Sequence, residues 1–256
     1  MTTTNRPDGS LYTAIENHIA TVEFGHPASN SFPSVLLQRL TDELNALSTN
    51  SDVRVIVLKS EGEKAFCAGA SFNELLEISN YSEGASFFSG FANVINAMRS
   101  CSKLIIGRIQ GKTVGGGVGL AAACDYALAT EQSAIKLSEF TIGIGPFVIA
   151  PAVERKIGKG ALAELTIAAE EWKNAYWAKE KGLYAKVFDS VKDLDKEIDI
   201  LTNKLAGYNP EALHAMKKVL WENTENWDAL LAERAQISGK LVLSDATKEA
   251  LAPYRK

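Results

Sequence analysis

The stretch QGKTVGGGVGLAAACDYALA, residues 110–129, sets three consecutive glycines and a fourth two positions on, after the apolar run LIIGRI. Backbone left bare ahead of a helix N-terminus can face a negative charge, because no Cβ blocks approach and the helix dipole is positive there. One such charge is a pyrophosphate: Gly117, Gly119 and Ala122 fit the G-x-G-x-x-A dinucleotide pattern, and Glu139 lies 20 residues past Gly119. That pattern requires its first glycine directly after a strand, whereas here the glycines follow only after several intervening residues, in mid-chain. A second reading is structural, a tight turn and a closely packed short helix. A third comes from another glycine-bearing turn, AFCAGASF at residues 65–72. Two loops that each follow a strand and lead into a helix can aim backbone N–H groups at one spot, an oxyanion hole for charge developing on a carbonyl oxygen. Near both in type stands Glu139, in IKLSEFTIGIGPF, with Leu137, Phe140, Ile142, Ile144 and Phe147 around it. Apolar company raises a carboxyl pKa by desolvation, which suits a base that must also act as an acid; otherwise the residue is a cap or a surface ion-pair partner.

The elements that would hold these groups follow from periodicity. LYTAIENHIATVEFG reads as two short strands around a turn at Glu16–His18, and Pro33 opens a helix whose Leu36, Leu37, Leu40, Leu44 and Leu47 keep the 3.6 period. VRVIVLKS is a buried strand. Ser71-x-x-Glu74 has capping-box spacing ahead of Leu75 and Leu76. A helix through GASFFSGFANVINAMRS, the strand KLIIGRI, the glycine turn, a short helix of small residues, and the strands YALAT and AIKL come next. Strand, glycine turn, helix and strand thus occur twice, over 53–77 and 111–137, which suggests a layered β/α coil. Beyond about residue 158 helices dominate, expected at 159–169, 172–181, 191–206, 210–223 and 227–239. A boundary near residue 200 divides the chain into a core, 1–200, and a helical region, 201–256.

Composition excludes several classes. The 256 residues carry a net charge of −4 with both signs interleaved, so neither nucleic acid nor a membrane surface is an expected partner. The N-terminus lacks a secretory pattern. The three cysteines (Cys67, Cys101, Cys124) show no C-x-x-C spacing and the three histidines no ligand spacing. Reduced thiols, a cytoplasmic location and no protein metal site are the expectations.

EKAFCAGASFNEL, IQGKTVGGGVGLAAACDYALAT and IKLSEFTIGIGPF together resemble the three signature blocks of the crotonase superfamily (enoyl-CoA hydratase/isomerase family), with similarity over about residues 11–190 and more loosely in the helical tail. The resemblance implies an α/β fold, a crotonase-like ββα spiral with a C-terminal helical region that forms a homotrimer or a hexamer (a dimer of trimers). It implies an acyl-CoA thioester as substrate and no separate cofactor, coenzyme A being part of that substrate. Carried over by position, the oxyanion donors are the N–H groups of Ala70 and Gly116, and Glu139 is the catalytic carboxylate. The substrate-binding set comprises Lys64, Ala68, Gly69, Ser71, Phe72, Gly115, Gly117, Gly119, Phe147 and Lys217, with Lys64 and Lys217 toward CoA phosphates.

The chain departs from the family pattern at Gly119, where hydratases carry their first glutamate, and at Ser71, where an aspartate is usual. Hydration divides base and acid work between paired carboxylates; a lone Glu139 suits a double-bond shift, as in family isomerases. Enoyl-CoA isomerisation is therefore the expected reaction. Hydration is the alternative, and an acyl-CoA binding protein without chemistry a further one.

Overall fold

The computed structural model describes residue 6 and residues 8–254. β1 (Ser10–Glu16) and β2 (Ile19–Gly25) pair antiparallel, with Glu16 opposite Ile19. Asn17 and His18 close the hairpin at positive φ, 51° and 66°, the turn geometry that matches strand twist. α1 (Ser34–Thr49) buries all five leucines of the expected stripe.

Three coils of chain follow, each laying one strand in each of two sheets. The first runs β3 (Val55–Ser60), β4 (Ala65–Cys67), α2 (Phe72–Glu77) and α3 (Tyr81–Ser100). The second runs β5 (Leu104–Ile109), β6 (Lys112–Val114) and α4 (Gly116–Ala123). The third runs β7 (Tyr126–Thr130), β8 (Ile135–Lys136), a 3-10 turn at Glu139–Ile142, α5 (Ala150–Ile167) and α6 (Ala175–Glu180). With β9 (Lys186–Phe188) the large sheet has the order β1-β2-β3-β5-β7-β9, parallel beyond the hairpin; the small one is β4-β6-β8, parallel throughout. This is a ββα spiral. β4 and β6, which the sequence reads as loop and turn, and β9, in a stretch expected to lack strands, are each three residues long, too short to show a period.

α7 (Val191–Ala206), α8 (Pro210–Leu220), α9 (Trp227–Leu241) and α10 (Asp245–Leu251) complete the chain. Residues alternate between the faces of β3: Ile56 and Leu58 enter the main core, Val55 and Val57 a second one closed by Leu194 and Ile198 of α7. The main core runs without a break from α1 and α3 to Trp221, Trp227, Leu231 and Ala235, so the helices past residue 200 share one interior with the spiral. α5 begins nine residues before its expected start and kinks at Gly158, φ 73°. Among the described residues no helix is long and apolar enough to cross a membrane.

A buried ion pair ties α8 to the spiral. Asp125, just after α4, accepts from Lys217 Nζ (2.7 Å), Trp221 Nε1 (2.7 Å) and the backbone N–H of Ile105 (2.7 Å). Lys217 Nζ also donates to Met98 O at 2.8 Å, and the lysine is 2% exposed. This corrects the expectation that Lys217 meets a CoA phosphate: its ammonium is spent inside the protein, on a carboxylate and a carbonyl. Removing one member of a buried pair strands the other, a cost of about 3–5 kcal/mol. Lys217→Met is therefore expected to lower the unfolding free energy by about that much in urea titration, while coenzyme A affinity of the folded fraction stays unchanged.

Candidate active site

The parallel ladder brings the two glycine-bearing loops together. β4 and β6 are neighbours, so the chain leaving each, 68–70 and 114–116, emerges side by side. A Cβ built on Gly69 would stand 3.4 Å from Gly116 N and 3.2 Å from Val114 O. Ala70 bridges Phe32 through its neighbours, since Phe32 N donates to Gly69 O (2.8 Å) and Ser71 N to Phe32 O (2.8 Å). Successive N–H groups of an extended chain face opposite sides, so the N–H of Ala70 is turned away from that bridge. Gly116 is the first residue of α4, where a backbone N–H has no partner within the helix. Ala70 and Gly116 line the same cavity. The loops thus offer two backbone donors at one place.

Gly115 makes the turn possible. Its φ is +55°, a region that side chains disfavour, and a Cβ there would lie 3.0 Å from Oε1 of Glu139. Glu139 begins the 3-10 turn that follows β8, which sets its carboxyl over the glycine turn. As a residue Glu139 is half-buried, but its Oε2 is buried and meets no hydrogen-bond partner. Desolvation pushes its pKa up from 4.5 to about 7, opposed only by its own backbone N–H. The company expected from the sequence is largely present: Ile142, Ile144 and Phe147 share the cavity wall with Glu139. Phe140 turns outward instead, 51% exposed.

The cavity, about 190 Å³, is mostly apolar. Among the described residues its wall contains a single titratable side chain, Glu139, and two hydroxyls, Ser138 and Ser238. Ala68, Gly69, Phe72, Gly115 and Phe147 line it as expected. The other expected contacts lie elsewhere. Ser71 caps α2, accepting from Glu74 N at 3.3 Å, while Glu74 turns to the Ser34 backbone instead of completing a capping box. Gly117 packs on Cys67, and Lys64 is exposed outside the wall. Gly119 faces Ile149: a Cβ at this position would stand 2.5 Å from Ile149 Cγ2. The place of a second carboxylate is therefore filled with hydrocarbon.

Three contributions from distant helices escaped the sequence reading. α3 supplies Phe87, Phe88 and Phe91 to the wall, and α9 supplies Ser238. α10 clasps the turn that carries Glu139, Thr247 Oγ1 donating to Gly143 O at 2.9 Å. Tyr254 meets Phe72 edge-on at the cavity, 5.2 Å between ring centres. Paired small residues, YSEGAS in α3 and ISGK in α9, are the signal that could have revealed the α3–α9 contact.

The profile of the enoyl-CoA hydratase/isomerase family matches residues 14–255. The chain is 29% identical over 224 residues to the peroxisomal Delta(3,5)-Delta(2,4)-dienoyl-CoA isomerase of Arabidopsis thaliana, across 81% of this chain and 79% of that relative. It is 27% identical over 247 residues to the 2,3-dehydroadipyl-CoA hydratase of Escherichia coli K12, across 95% and 94%. An enoyl-CoA hydratase crystal structure from Mycobacterium avium superposes with a TM-score of 0.85 at 27% identity, covering 95% of both chains. Isomerase and hydratase names stand at similar identity, so likeness alone does not select the reaction. With the profile spanning the spiral and its helices together, and the same architecture in a solved relative, the chain belongs to the enoyl-CoA hydratase/isomerase family of the crotonase superfamily.

Proposed function

We propose that the protein is an enoyl-CoA isomerase that moves a double bond between C3=C4 and C2=C3 of an acyl-CoA thioester. The observation that carries this reading is the single carboxylate: among the described residues Glu139 is the one titratable side chain in the wall, and Ile149 fills the space beside Gly119. With the thioester oxygen between the N–H groups of Ala70 and Gly116, the ionised Glu139 removes a proton from C2. The electron pair of that C–H bond enters the enolate, whose charge settles on the oxygen facing the two donors. The new carboxylic acid then gives the same proton to C4, and the double bond ends at C2=C3. Proton and charge balance with no water consumed. Apolar walls support this chemistry twice, raising the carboxyl pKa and excluding water from the enolate.

Lys64, exposed just before β4, suits a contact with CoA phosphates. For assembly, α8 presents Met216, Val219 and Leu220 to solvent, 47%, 52% and 40% exposed, a spacing that puts them on one helix face. This face supports a trimer, or a hexamer built from two, and light scattering at micromolar concentration is expected to give three or six chain masses.

Incubation with a 3-enoyl-CoA is expected to yield the 2-enoyl-CoA of identical mass, and kcat/KM to rise as pH climbs through about 7, where Glu139 ionises. Glu139→Gln should bind acyl-CoA while turnover falls by roughly 10²–10⁴-fold. The same variant reports on stability. The folded-state pKa of Glu139 is raised, so wild type holds an extra proton between pH 4.5 and about 7 and loses stability as pH rises through that window. Glu139→Gln should gain on wild type across it, by about 3 kcal/mol at the alkaline end, in urea titrations at several pH values.

Gly119→Glu alone should not create a hydratase, because its first carbon meets Ile149; a destabilised protein is expected. Gly119→Glu with Ile149→Ala makes room, and there a 2-enoyl-CoA product heavier by one water is the expected gain. Product mass spectra of the two variants decide it.

A further inference from the structure

Of the two hydroxyls in the cavity wall, both left without a task by the proposed isomerisation, Ser238 is the buried one. It is 1% exposed, it lines the wall, and its Oγ has no hydrogen-bond partner. A buried hydroxyl without a partner is costly, and in a helix interior serine has a ready alternative in a carbonyl one turn back. Ser89 and Thr166 take that option, donating to Ala85 O at 2.7 Å and Leu162 O at 2.8 Å. Ser238 does not.

The packing of α9 on α3 brings it there. A Cβ built on Gly84 would stand 2.8 Å from Gly239 O, and one on Gly239 would stand 2.5 Å from Ala85 N, so the two backbones touch where only glycine fits. This contact fixes the depth of Ser238 in the wall. It also fixes its distance from the reacting end, because α3 runs along the cavity. Phe91 lies against the oxyanion turn, its Cζ 2.3 Å from where a Cβ of Gly116 would be. Gly84 is two helical turns earlier, about 10 Å along the axis. Between them Phe87 and Phe88 line the wall. Ser238 therefore belongs to the far end of the acyl channel, not to the thioester end.

We propose that Ser238 recognises a neutral oxygen function, a hydroxyl or keto group, on the distal part of the acyl chain, so that the preferred substrates are oxygenated and not plain hydrocarbon acyl-CoAs. A serine hydroxyl both donates and accepts, which fits either group. A distal carboxylate does not fit: among the described residues no Lys, Arg or His lines the cavity, and a buried charge without a counter-ion is far costlier than a neutral group. The inference rests on the acyl-CoA reading of the site but not on the direction or nature of the chemistry.

The test uses binding, which separates it from the isomerase proposal. Affinities of the full-length protein are measured by titration calorimetry for a length series of saturated acyl-CoAs, each with a methyl, a hydroxyl or a carboxyl terminus. At the length that reaches Ser238, wild type is expected to bind the hydroxyl form roughly ten-fold or more tighter than the methyl form, as a buried hydrogen bond that would otherwise be unmade requires. The carboxyl form should be the weakest. Ser238→Ala, nearly equal in size, should erase the hydroxyl preference and leave the methyl series unchanged or tighter. Equal affinity for hydroxyl and methyl forms at every length overturns the proposal, as does a preference that survives in Ser238→Ala. If no acyl-CoA binds at all, the proposed function falls with it; if binding follows the expected pattern but no 3-enoyl-CoA is turned over, the isomerase reading fails and the role of Ser238 stands.

Discussion

A carboxyl oxygen buried without a partner is unfavourable wherever it occurs, and the fold maintains one at Glu139. It persists only because the surroundings leave the side chain no other option. The 3-10 turn after β8 fixes the backbone, the positive-φ turn at Gly115 occupies the space directly beside Oε1, and hydrocarbon fills the rest. The small parallel sheet sends Phe66, Cys67 and Ile135 into the main core, and it brings three turns of the spiral to one point: the loop after β4, the loop after β6 and the turn after β8. Two supply donors and the third supplies the carboxylate. Without the pairing of β4 with β6 and β6 with β8 the two backbone N–H groups and the carboxylate would be on unrelated surfaces.

What the sequence disclosed, and what it withheld, follows the range of the interactions. The leucine stripe of α1 and the strands β1, β2, β3, β5 and β7 were legible because periodicity is written in neighbouring residues. The apolar company of Glu139 was legible for the same reason, Ile142, Ile144 and Phe147 lying within eight positions of it. The resemblance of three blocks pointed to Ala70 and Gly116, which line the same cavity and which no local rule could single out. Lys217 went astray because its partner, Asp125, is 92 positions away; from local sequence, a lysine on an amphipathic helix looks the same whether it faces solvent or a buried carboxylate. Ser238 was missed because its position depends on a contact between α3 and α9, elements far apart in the chain.

Gly119 and Ile149 show how one site can be retuned without altering its frame. Gly119 offers no carboxylate, and Ile149 at the N-terminal edge of α5 occupies the volume beside it. Close packing makes position 119 dependent on position 149: no larger residue fits at 119 unless Ile149 shrinks. Such a pair alters the acid–base inventory of the cavity and leaves the oxyanion donors, which are backbone, untouched.

The clasp made by α9 and α10 ties the cavity to a distant part of the chain. Residues 227–254 provide Ser238 to the wall, Thr247 to the turn that carries Glu139 and Tyr254 to Phe72. A chain that stops short of residue 227 carries every strand of both sheets, yet it lacks Trp227, Leu231 and Ala235 of the shared core, the Ser238 side of the cavity wall and the brace on the turn that carries Glu139. The shape of the cavity around Glu139 therefore depends on residues about a hundred positions further along the chain, Thr247 reaching back 104 positions to Gly143, and loss of that segment would open the wall and release the turn.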